Sequence, residues 1–203
     1  PKLSYDYQAA LGEFGQIRES YSRLKAIHFF TRFFGERVAP METALPEGAS
    51  EIDPEDLDTL RFAVRTDGQS GFLFVNNFQD PRTMPEKKGE QVVVETAQGS
   101  FAFDISIAAD ENAILPFHFD LDGILLHQAN AQPLLRTEIG GRAVYAFLVP
   151  DGMDGAFRFE DNAKVVGEKP LFTVQKGDRA VDVLLLTRAE ANRLFFLRDG
   201  SLI

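Results

Sequence analysis

Tyr5 and Tyr7, near the start of the chain, are the side chains best suited to touch a small substrate. On an extended strand, residues two apart point to the same side. A phenol can hydrogen-bond a substrate hydroxyl and lay its ring against a sugar face. At the C-terminal end of a barrel strand, such a pair would stand where that fold builds its active sites. The competing reading is two tyrosines packed in a core. A second polar set is Asn76, Asn77, Gln79, Asp80 and Arg82 around Phe78. Amides, a carboxylate and a guanidinium beside an aromatic ring suit a sugar or a neighbouring domain. They equally suit a strand end followed by a proline turn.

The remaining reactive residue types form no catalytic pattern. His28, His118 and His127 are the three histidines, and none has the i, i+4 partner of a helical metal site. Their expected roles are structural, and no metal ligand is assigned. Asp104, Asp110, Glu111, Asp120 and Asp122 make an acidic stretch in which a calcium site is conceivable, but the spacing of an EF-hand loop is missing. Turns use the same residues. Gly68-Gln69-Ser70-Gly71 lacks the final glycine of a nucleophile elbow and reads as a hairpin turn. The chain has no cysteine, so it carries no disulfide, thiolate nucleophile or cysteine-bound metal. It has no Gly-rich phosphate loop and no dinucleotide fingerprint.

The 203 residues carry a formal charge of −10, with a pI near 4.8. Such a surface lacks the Lys and Arg excess that neutralises phosphates, so no nucleic-acid partner and no anionic membrane is expected. There is no apolar run of the roughly 18 residues that a membrane-spanning helix needs. Apolar residues are 44% of the chain and 19 are Phe, enough for a sizeable core.

The elements that would position these groups fall into three segments. Residues 1–40 read as a short strand (4–11) and an amphipathic helix (20–36) whose stripe is Leu24, Ile27, Phe30, Thr31 and Phe34. Residues 41–58 hold Pro46, Gly48, Pro54 and six acids, the composition of an exposed linker. Residues 59–203 alternate in the manner of about a dozen short strands: 60–65, 71–78, 91–96, 100–108, 114–119, 124–126, 133–138, 142–149, 156–160, 164–166, 171–175 and 180–186. Turns every 8–12 residues point to an antiparallel β-sandwich. A closing helix over 187–197 is marked by Thr187 and Glu190, the two ends of a capping box. The expected fold class is therefore mainly β: a sandwich preceded by a strand–helix unit and followed by a short helix. Because that first unit differs from everything after it, it reads as the last βα unit of a larger α/β domain.

The run Ser4-Tyr5-Asp6-Tyr7-Gln8-Ala9-Ala10-Leu11-Gly12-Glu13-Phe14-Gly15 resembles the Ser-Tyr-Asp-Tyr-Asp-Ala-Pro-Leu-x-Glu-x-Gly run of glycoside hydrolase family 35 β-galactosidases. The helix after it is similar to that family's through Tyr21, Leu24 and Lys25. Weaker likenesses follow in order, at 71–79, 114–117, 129–134 and 183–191. Gln8 and Ala10 depart from the family's Asp and Pro.

The resemblance implies a (β/α)8 barrel whose last unit is residues 1–40, followed by an accessory β-sandwich. It implies a parent that hydrolyses terminal β-galactosides with retention, without a cofactor, and in a periplasmic or secreted setting. Tyr7, and after it Tyr5, would line the galactose subsite. A retaining mechanism needs two carboxyls roughly 5 Å apart. The family holds them on earlier barrel strands, so no catalytic residue is assigned in this chain; Thr137-Glu138 falls on a sandwich hairpin and is not taken as the nucleophile. The expected partners are the galactoside, through the parent, and the missing barrel. Two other readings stand beside this one: a free-standing carbohydrate-binding module, and a structural or oligomerisation domain. The helix stripe, without barrel neighbours, is expected to dock on the sandwich, pair with a second copy as a homodimer, or fray. Pairing is favoured where the sandwich face is already filled.

Overall fold

The computed structural model describes residues 6, 7, 9–80 and 82–195. Helix α1 (Glu19–Val38) comes first, followed by strands β1 (Glu42–Ala44), β2 (Arg61–Thr66), β3 (Gly71–Asn76), β4 (Lys87–Thr96), β5 (Gly99–Ile107), β6 (Asn112–Leu121) and β7 (Ile124–Ala129). Then come β8 (Gln132–Ile139), β9 (Arg142–Leu148), β10 (Phe157–Phe159), β11 (Lys164–Glu168), β12 (Leu171–Lys176), β13 (Arg179–Leu186) and helix α2 (Arg188–Ala191). The chain is mainly β, as its alternation predicts.

Three sheets stack in layers. The central one has the order β1-β2-β3-β6-β7-β10, a second β11-β12-β13-β9-β8, and the β4–β5 hairpin forms the third. All neighbours pair antiparallel except β13 and β9, which run parallel from Val181↔Ala143 to Leu186↔Leu148. Strand β6 shows why layering matters. Seven of its ten residues are buried because both its faces are covered. Ala113, Leu115 and Phe117 meet Val92, Val94, Phe101, Phe103 and Ile105 of the hairpin. Ile114, Phe119 and Leu121 face the other core, with Phe147, Val174 and Val183 of the second sheet. Simple alternation would send Phe117 and Phe119 to one side. His118, between them, has φ 47°, a left-handed conformation costly for a non-glycine residue, and the strand changes phase there.

Helix α1 wraps the β8 edge of the second sheet. Phe30 and Phe34 enter the inter-sheet core, where Phe30 meets Phe72 edge-on at 5.1 Å and Phe34 meets Phe119 at 5.5 Å. Ala26 and Phe29 lie on Leu134, Leu135, Ala146 and Leu148. The helix thus docks on the sandwich, the first of its expected positions. The buried stripe also differs from the expected one: Leu24 and Ile27 remain 43% and 42% exposed, while Ala26 and Phe29 are buried. Arg65 of β2 fixes the helix's C-terminal end, donating to Val38 O at 3.0 Å and to Thr43 Oγ1 at 2.9 Å. A cation there satisfies a carbonyl that the helix leaves without an internal partner.

The expected linker is not a free connection. Its residues 42–44 are edge strand β1, in register with Thr66, Arg65 and Val64. Further on, Lys87, buried on β4, donates to Leu57 O at 2.5 Å and Asp58 O at 2.8 Å. Arg61 donates to Asp56 O at 2.7 Å. At the other end, Thr187 and Glu190 form the expected capping box. The helix they open is shorter than expected, ending at Ala191. Arg188 ties it to the loop just before β6 through Glu111, Nη2 to Oε1 at 2.5 Å and Nε to Oε2 at 3.2 Å.

Candidate functional site

The described part of the N-terminal run is a compact loop rather than a strand. Asp6 and Arg18 close it with an ion pair of 2.9 Å, and the Arg18 guanidinium also donates to Ala9 O. The Asp6 carboxylate accepts from Glu13 N at 3.3 Å as well. Leu11 bridges to Ile17, and Gly12 N donates to Gln16 O at 2.8 Å. Gly15, at φ 79°, turns the chain back between them. Tyr7 sits in a turn at φ 43° and is 72% exposed, so it is not on an extended strand and shares no strand face with a neighbour. Tyr5, its expected companion, lies outside the described residues.

This loop presents an apolar surface. Besides Tyr7, Phe14 is 74%, Ile17 67% and Leu11 54% exposed. The outer side of α1 continues the surface through Leu24 and Ile27. Loop and helix enclose a cleft of about 400 Å³ lined by Ala9, Ala10, Leu11, Tyr21, Leu24, Lys25 and His28. Lys25 is tethered at its edge. Its ammonium donates to Asn192 O at 2.7 Å and lies 3.9 Å from the Phe195 ring centre. Partial burial lowers its pKa from the ordinary lysine value. Scattered single apolar residues are normal on a protein surface, but here Leu11 bridges to Ile17 and shares the cleft with Leu24.

The second predicted set separates into two kinds. Asn77 is fully buried and does not face solvent. Its amide Nδ2 donates to Pro85 O at 2.8 Å and to Ala108 O at 2.9 Å, and its backbone N–H donates to Glu111 O. It is a clamp between loops, and the expectation of a sugar contact at Asn77 is corrected accordingly. Asn76 is exposed and bonds Phe78 O; Gln79 is half-buried and reaches Asp80 O at 3.4 Å. Arg82 pairs with Glu55 instead of pointing into a cleft. This loop lines none of the clefts described here.

The acidic stretch is likewise occupied by the fold. Asp110 Oδ1 accepts from Met84 N, Asp120 Oδ1 from Gly123 N, and Asp122 from Arg136 Nε at 3.0 Å. Tyr145, buried beside Asp122, has its phenol pushed up to about 12, first by burial and then by that carboxylate. Among the described residues, no three His, Cys, Asp or Glu side chains are grouped to hold a metal ion.

Two further clefts were not anticipated. One, of about 360 Å³, brings together Arg37, Asp67, Ser70, His118 and Asp120 over Met41, Phe72 and Phe119. The other, of about 600 Å³, opens between β10 and the β11–β12 hairpin. Its walls include Phe157 and Phe159, whose rings stack at 5.9 Å, and Phe172. Sequence patterning marks these phenylalanines as core residues. Only the packing reveals that the sandwich stays open at that edge. Compared with known proteins, the chain matches no protein-family model and no curated protein.

Proposed function

We propose that this chain is a non-catalytic portion of a glycoside hydrolase resembling the family 35 β-galactosidases, in which residues 6–28 form the seam to the catalytic barrel. The observation that carries this reading is the apolar skin made by Tyr7, Leu11, Phe14, Ile17, Leu24 and Ile27. It begins inside the Ser-Tyr-Asp-Tyr run that carries the family likeness. A surface of that kind is stabilised when another apolar surface removes it from water. In the parent, Tyr7 would stand on a short, internally bonded loop and present its phenol to the galactoside.

The test has two arms. The chain alone gives no turnover of a chromogenic β-galactoside; activity that survives repurification overturns the reading. In the parent enzyme, Tyr7→Phe lowers kcat/KM by roughly ten- to a hundredfold, the value of one hydrogen bond to a charged or developing-charge group. Unchanged kinetics removes Tyr7 from the substrate site. The rival reading, a free-standing carbohydrate-binding module, requires measurable heat on titration of galactose or lactose into the isolated chain.

A further inference from the structure

Strand β11 is the outer strand of its sheet: β12 borders one side, and among the described residues no strand borders the other. All five of its residues are exposed. An open edge presents backbone N–H and C=O groups that a further strand can bond. Register with β12 assigns the faces, because directly paired residues share one. Val165 pairs with the fully buried Val174, and Gly167 with Phe172, so both lie on the core side, where they line the 600 Å³ cleft. Lys164 and Val166 lie on the outer side, and Glu168, which follows Gly167 at φ 94°, pairs with the exposed Leu171 and also reaches the rim of the cleft.

The segment Lys164-Val165-Val166-Gly167-Glu168 is complementary to its own reverse. Antiparallel pairing of two copies about Val166 sets Lys164 across from the second copy's Glu168, twice. On the cleft side it sets Val165 across from Gly167, so a branched side chain meets a position that has none. Opposite charges directly across a strand pair attract. A one-residue slip would put Lys164 across from Gly167 and lose both charge pairs, so the register is specified. We propose that β11 is the seat of a homodimer in which the five-stranded sheets of two copies join edge to edge. Each copy's Val165 then closes over the Phe-lined cleft of the other. A two-fold axis makes such an interface isologous. The surface is distinct from the 6–28 seam, so either assignment can fail alone.

The test is sedimentation of the full chain from about 10 μM to about 1 mM, in about 0.15 M salt, where charges more than about 8 Å apart are screened. A single short strand pair falls in the small, transient class of interfaces. The wild type therefore rises with concentration from 22.6 kDa toward twice that mass. Lys164→Glu alone and Glu168→Lys alone each place like charges across the axis and weaken the dimer at least about tenfold. The Glu168→Lys result is diagnostic, because that change also makes the chain less negative than its −10 and should otherwise favour association. An equimolar mixture of the two single variants restores attraction at both pairs and restores the dimer. So does the double variant. Hydrogen exchange on the wild type is a variant-free check: the Val165 and Gly167 amides gain protection as concentration rises. A wild type that is monomeric throughout overturns the proposal. So does a dimer indifferent to both single variants, or a mixture that stays monomeric.

Discussion

Replacing Phe30 by Ala tests whether α1 is part of the β core or an appendage. Phe30 is 2% exposed and packs edge-on against Phe72 at 5.1 Å and Phe74 at 6.2 Å. Truncating a fully buried Phe costs about 3–5 kcal/mol, the transfer of its ring plus the cavity left behind. The edge-to-face contacts, about 0.5–1.5 kcal/mol each, lie within that figure and favour its upper half. Total stability of a domain is about 5–15 kcal/mol, so a loss near 4 kcal/mol is a large fraction of it. For a chain of this length, each kcal/mol lowers Tm by roughly 2–4 °C, which gives a fall of about 8–16 °C. Urea unfolding followed by far-UV circular dichroism is the assay, with the midpoint shifting at constant slope. Leu24→Ala, on the same helix but 43% exposed, is the control and should cost under about 1 kcal/mol. A Phe30→Ala penalty under about 1 kcal/mol, or one no larger than the control's, would refute the docking of α1. Two separate transitions in the wild type would also refute it.

Glu111→Gln leaves the Arg188 guanidinium, 17% exposed, without its bidentate partner and should cost about 3 kcal/mol, read from the same urea midpoint. Asn77→Ala strands the carbonyls of Pro85 and Ala108 and should cost about 2 kcal/mol, whereas Asn76→Ala, exposed beside it, should stay within about 0.5 kcal/mol. Glu190 supplies a pH test. Hydrogen bonds from the Thr187 N–H, then its hydroxyl, hold the Glu190 carboxyl below the ordinary glutamate range. A carboxyl depressed on folding stabilises fully above its unfolded pKa, about 4.3, and stops doing so as the pH falls through its lower folded value. The stability gap between wild type and Glu190→Gln should therefore be full near neutrality and close on acidification below about pH 4. A gap that widens in acid would contradict the capping geometry.

Much of the β architecture was legible because each strand announces itself locally. Phe101, Phe103, Ile105 and Ile107 alternate with Ala102, Asp104 and Ser106 and all point inward on β5. The Thr187–Glu190 box is likewise a local signal. What failed were judgements that depend on partners distant in sequence. The apolar face of α1 is wide, and its Leu24–Ile27 side looks as buryable as its Ala26–Phe29 side. Only the position of β8 decides between them. Asn77 looked like a ligand contact because polar loop residues of both kinds share one composition. The distinction lies in Pro85 and Ala108 closing over it. Acids 53–58 read as solvated linker because the sequence does not show Lys87 and Arg61 reaching their carbonyls. The open edge at β10 and β11 follows from sheet order, which no local pattern encodes.

The placement of α1 also bears on how the protein is made. Phe29 lies early in the chain, yet the surface it covers includes Leu135 and Ala146. At a synthesis rate of roughly 5–20 residues per second, about 5–20 s separate the emergence of the helix from that of its seat. During that interval the Phe-rich helix of 20 residues lacks the β8–β9 surface that covers Ala26 and Phe29. The parallel β9–β13 pair adds a second long wait, since parallel pairing must close a long connection before it is rewarded. Nascent chains stalled before β8 should therefore be the species most prone to aggregate and most dependent on a chaperone. Completed chains should fold late and cooperatively, with α1 locking in among the last elements although it precedes every described strand in the chain.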